Sequence, residues 1–74
     1  MNYRLRERTI VTEDGISAKV WGVAFMEEEK EVVYFPDISI NQGLAKRFAE
    51  LCLRNSVSPV HLHDVLEDFL AAND

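Results

Sequence analysis

The stretch Lys19–Met26, Lys-Val-Trp-Gly-Val-Ala-Phe-Met, decides how the rest of the chain is read. Side chains along a strand alternate between two faces. One face here carries Ala18, Val20, Gly22, Ala24 and Met26; the other carries Lys19, Trp21, Val23 and Phe25. A strand with one wet face alternates apolar with polar residues, whereas a nearly continuous apolar run marks a strand covered on both faces. This run is of the second kind. It predicts the middle strand of a small antiparallel sheet, with cover required on each side.

Working outward, Tyr3–Thr12 reads as a strand before it. Its odd positions are Tyr3, Leu5, Glu7, Thr9 and Val11; its even positions are Arg4, Arg6, Arg8, Ile10 and Thr12. Between the two strands, Glu13-Asp14-Gly15-Ile16 carries an Asp-Gly pair suited to the central positions of a type I′ turn. A two-residue loop at Asp14-Gly15 sets Thr9 opposite Val20 and Leu5 opposite Ala24. On the other face it sets Arg8 opposite Trp21 and Arg4 opposite Phe25. A slip of one residue would move every one of these pairs.

After the polar connection Glu27–Lys30, Glu31–Phe35 is rich in β-branched and aromatic residues and predicts a third strand. Pro36 ends it, since proline cannot donate to a ladder. A tight turn at Glu29-Lys30 puts Val33 and Phe35 on the Ala24/Met26 face, and Val32 and Tyr34 on the Trp21/Phe25 face. Ser39 with Gln42 three residues later fits a capping box. Leu44, Phe48, Leu51 and Cys52 then follow at helical spacing as far as Arg54-Asn55. A second helix is announced by Ser58-Pro59 and carries its apolar stripe at Leu62, Val65, Leu66, Phe69 and Leu70. The fold predicted is α+β: a three-stranded antiparallel meander followed by two α-helices packed on one sheet face, in a single domain over residues 1–74.

Small residues let helices pack closely, so the Ala18/Gly22/Ala24 face is expected to take both helices. That leaves Ile10, Trp21, Val23, Phe25, Val32 and Tyr34 on an uncovered face, a larger apolar patch than a small monomer usually exposes. Aromatics flanked by arginines have the composition of an interface core. The expected interface residues are therefore Arg4, Arg6, Arg8, Trp21, Val23, Phe25, Val32 and Tyr34, and the expected occupant is a second copy or another protein. The same residues admit an alternative, a surface for single-stranded nucleic acid in which arginines hold phosphates and rings stack on bases. A net charge of −5 weighs against it. A closed monomer with one helix on each face is the remaining possibility.

Other chemistry is sparse. With Cys52 as the single cysteine there is no intrachain disulfide and no zinc spacing. It falls on the apolar stripe of the first helix, so a packed core thiol is expected. His61, His63, Asp64, Glu67 and Asp68 form the one cluster of possible ligands, but His61 and His63 diverge around a helix. His63 can pair with Glu67 at i, i+4. No catalytic residue, cofactor site or metal site is expected, and the chain is read as non-enzymatic. No apolar run reaches the ~18 residues of a membrane span, and the first residues lack the core of a signal peptide. A cytoplasmic location is the expectation.

Trp21-Gly22-Val23, Asp37-Ile38-Ser39, Val57-Ser58-Pro59-Val60-His61-Leu62 and Asp64-Val65-Leu66-Glu67-Asp68-Phe69 together resemble a family of small uncharacterised proteins from clostridia and their relatives, a domain of unknown function. The likeness spans most of the chain after the first strand. It implies a bacterial cytoplasmic protein of this size and carries no activity or cofactor with it.

Overall fold

The computed structural model describes residues 1–73. Three strands, β1 (Asn2–Val11), β2 (Ser17–Glu27) and β3 (Lys30–Ser39), form one antiparallel sheet in the order β1-β2-β3. Helix α1 (Gln42–Arg54) follows, then a 3₁₀ turn over Pro59–His61 that runs into α2 (Leu62–Ala72). This is the α+β arrangement expected, with β2 in the middle.

The first hairpin differs from expectation by one residue, and that residue inverts the sheet. Gly15 alone in the loop has positive φ, +79°, and its N–H donates to the Thr12 carbonyl. The Thr12 N–H in turn donates to the Ile16 carbonyl. Glu13-Asp14-Gly15 is thus a three-residue loop, a turn followed by a left-handed glycine, and not a two-residue type I′ turn. The register becomes Arg4↔Ala24, Arg6↔Gly22 and Arg8↔Val20, while Tyr3 faces Phe25 and Leu5 faces Val23. A shift of one residue moves a whole strand's side chains to the other face. The arginines therefore share a face with the small residues of β2, away from Trp21 and Phe25.

The second hairpin closes at Glu27↔Lys30, so its turn is Glu28-Glu29, both left-handed (φ 51° and 67°), and not Glu29-Lys30. Register shifts between Phe25 and Met26 and between Trp21 and Val23 bend β3. Val33 pairs with Phe25 and Phe35 with Val23, which puts both on the Trp21/Phe25 face. Tyr34 pairs with Ala24 on the other. β3 also continues through Pro36 to Ser39 instead of stopping at Phe35. It is an edge strand with an irregularity there, the setting in which a ladder tolerates proline.

Both helices pack on one face of the sheet, and that face is the aromatic one. Val23 and Phe25 lie in one cluster with Ile38, Ala45, Phe48, Ala49, Cys52, Leu62 and Leu66. The small residues that permit close packing sit on the helix, as Ala45, Ala49 and Cys52, and the large ones on the sheet. Phe25, Phe35 and Phe48 meet edge to face with centroids 5.9–6.2 Å apart, and Phe69 of α2 lies 5.6 Å from Phe48. Such geometry suits the ring quadrupoles. Gly22 serves β3 instead of a helix: a Cβ built on it would lie 2.5 Å from the Pro36 carbonyl oxygen and closer still to that of Phe35.

The helix ends follow local chemistry. Asn41, not Ser39, caps α1: its Oδ1 accepts from the Leu44 N–H at 3.3 Å, while Ser39 Oγ accepts from the Asn41 N–H at 2.9 Å. Ser56, with φ 50°, takes the left-handed position after α1. The Val57 N–H reaches the Cys52 carbonyl and the Ser56 N–H that of Leu53, a Schellman ending that turns Val57 back onto the core.

Candidate interaction face

The face turned away from the helices carries Arg4, Arg6, Arg8 and Ile10 from β1, Ala18, Val20, Gly22, Ala24 and Met26 from β2, and Tyr34 from β3. Its floor is dry without any helix above it: Ala24 is fully buried and Val20 is 6% exposed. The cover comes from the face's own side chains. Arg6 starts opposite Gly22, and its guanidinium carbon ends 4.8 Å above the ring of Tyr34, which pairs with Ala24. Its stem therefore crosses the small residues of β2, with the charged end left in water. The same guanidinium meets Glu31 at 2.6 Å.

Arg8 grips Asp37 with two parallel hydrogen bonds, Nε to Oδ1 at 2.9 Å and Nη2 to Oδ2 at 2.7 Å. The hydrogen bond first, then the carboxylate charge, push the Arg8 guanidinium further up from its ordinary value. Both side chains are about half exposed, so water screens the pair and it adds little to stability. Arg4 makes no ion pair among the described residues. One face thus holds three arginines against two acids.

Of the residues expected at an interface, Arg4, Arg6, Arg8 and Tyr34 are brought together here, while Val32, 41% exposed, falls at a register shift of β3 and pairs with no residue of β2. Val23 and Phe25 are fully buried under the helices, and Trp21, on their side of the sheet, packs against the core. The expected row of arginines interleaved with Trp21 and Phe25 does not form, because the loop is one residue longer than a two-residue turn. What the sequence reading missed is Asp37 as an arginine partner, and Glu31 as a partner within the same chain rather than across to a second subunit. The i, i+2, i+4 spacing of the arginines on one strand was the available signal; the acids' side of the sheet depended on the turns.

Elsewhere, His63 Nε2 lies 3.3 Å from Glu67 Oε1 in the i, i+4 pair expected, on an exposed helix surface. Cys52 is fully buried and burial pushes its thiol up from 9.0 to about 11, which disfavours the nucleophilic thiolate. The Tyr3 hydroxyl donates to Glu50 Oε1 at 3.4 Å; burial and then that carboxylate raise it from its usual value. Among the described residues no group of three or more histidines, cysteines or acids is placed to hold a metal ion. Among the described residues no helix is long and apolar enough to cross a membrane.

Neither the curated proteins nor the solved structures contain a match to this chain. Residues 1–72 do match one family, so that the sheet with its arginine row and both helices fall inside a single family boundary: the chain belongs to the family of unknown function DUF6514.

Proposed function

We propose that this chain is a non-enzymatic, cytoplasmic interaction module of bacterial origin that docks an acidic partner protein on its open sheet face, through Arg4, Arg6, Arg8 and Tyr34. The observation that carries the reading is how charge is sorted. The open face bears three arginines and two acids, one net positive charge, on a chain of net −5, which leaves six net negative charges on the rest. Complementary potentials of this kind steer and orient a partner. The nucleic-acid alternative has less support: Tyr34 is the one ring on that face, and Arg6 already stacks on it.

The test is affinity capture from the source cells with wild type and with the triple variant Arg4→Glu, Arg6→Glu, Arg8→Glu, both checked for folding by circular dichroism. A nuclease-resistant partner held by wild type and lost by the variant is the expected result. Equal capture by both refutes the reading. A stable dimer by light scattering that dissolves in the variant assigns the face to a second copy instead.

A further inference from the structure

The two edges of this sheet are not alike. β3 is broken by two register shifts and contains Pro36, devices that keep a foreign strand from pairing. β1 has neither: it runs for ten residues in unbroken register with β2 and contains no proline. The Thr12–Ile16 hydrogen bond places Thr12 in a bonded pair. Pairs alternate along an antiparallel ladder, so Ile10, Arg8, Arg6 and Arg4 bond inward to β2. The odd residues turn their N–H and C=O groups outward. Of these the Tyr3 N–H is already taken by Asn2 Oδ1 at 2.8 Å. Leu5, Glu7, Thr9 and Val11 keep theirs open on the outer edge.

We infer that this edge accepts an extended acidic segment of the partner as a fourth strand, with carboxylates at alternate positions beside Arg4, Arg6 and Arg8. The inference rests on the docking reading above and adds the occupant's conformation and chemistry. Backbone pairing along the edge supplies affinity, and alternate side chains supply selectivity, as in other strand additions. The arginines choose the charge. The ion pairs of Arg6 and Arg8 are exposed and individually weak, so both guanidiniums can share a second carboxylate, and Arg4 is unpaired among the described residues. Pairing with a second copy is disfavoured by the same row. Two-fold pairing of β1 with itself keeps both open faces on one side, and registers centred on Leu5, Arg6 or Glu7 set Arg4 against Arg6, Arg4 against Arg8, or Arg6 against Arg8. Like charges directly opposite are destabilising.

The probe is a fluorescein-labelled peptide alternating glutamate with valine, compared with the same peptide N-methylated at alternate residues and with a lysine–valine counterpart. Anisotropy at low salt measures binding, and amide hydrogen exchange locates it. The glutamate peptide binds, at least tenfold tighter than the N-methylated and lysine peptides, and slows exchange at Leu5, Glu7 and Thr9. The triple glutamate variant loses at least tenfold in affinity and reverses the preference toward lysine. Equal binding of the N-methylated peptide, unchanged exchange at those amides, or no binding at millimolar peptide overturns the strand addition. A natural partner captured through the arginines without protecting these amides also overturns it while leaving the docking reading intact; capture that ignores the arginines overturns both.

Discussion

Replacing Gly22 by alanine tests the part of the sheet on which both faces depend. The added Cβ would lie 2.5 Å from the Pro36 carbonyl oxygen and 2.8 Å from its carbon, with the Phe35 oxygen nearer still. All three are backbone atoms, so no side chain can swing aside. β3 must move by more than half an ångström, or β2 must shift against α1, and either disturbs Phe35 and Val23 in the core. Overpacking of this kind costs about 1–3 kcal/mol, and backbone neighbours put Gly22→Ala in the upper part, about 2–3 kcal/mol. For 74 residues, at ~0.05–0.15 kcal/mol each, the whole domain is stable by about 4–11 kcal/mol. The substitution therefore removes a large fraction. The melting temperature should fall by roughly 10–20 °C, with a matching loss in urea midpoint. Gly43→Ala is the control. Its Cβ would meet only the Asn41 side chain, at 3.2 Å, so its effect should stay within about 1 kcal/mol. A Gly22→Ala protein that melts within two or three degrees of wild type would refute the close approach of β3.

The Glu28-Glu29 turn has both residues left-handed, so Glu28→Asn with Glu29→Gly should stabilise the protein by about 1–2 kcal/mol in the same melts. Asn41→Ala removes the cap of α1 and should cost about 1 kcal/mol, whereas Ser39→Ala should cost less. Cys52 carries a pH signature. Its thiol is raised from 9.0 to about 11, so the unfolded chain ionises first. Its contribution is full below pH 9 and is lost between about pH 9 and 11, up to about 3 kcal/mol. Urea titrations of wild type and Cys52→Ala across that window should diverge in slope, and parallel curves would refute it. Arg8→Ala should leave the melting temperature nearly unchanged in the same melts, because its bond to Asp37 is half in water.

Element types and their order were legible because they depend on local signals: the alternation in β1, the apolar run in β2, and the 3.6-residue stripes of α1 and α2. Which face the helices take was not. Asp14-Gly15 suits a two-residue turn and also the end of a three-residue loop, and the two choices differ by one residue and hence by the entire face. The second hairpin adds register shifts that no alternation reveals. Nor did the small residues of β2 mark the helix face. Gly22 does mark a close backbone approach, but by the neighbouring strand, while Ala45 and Ala49 supply the smooth surface from the helix. For the candidate site, the arginine row could be seen in the spacing of Arg4, Arg6 and Arg8. Its partners Glu31 and Asp37 could not, since their side of the sheet follows from both turns together.

A sheet with one straight margin and one crooked, proline-bearing margin has a direction of growth. A strand that joins along β1 extends the sheet on that side, while the register shifts and Pro36 oppose pairing across β3. Under the strand addition proposed above, this chain therefore extends its sheet in one direction and does not bridge two foreign strands.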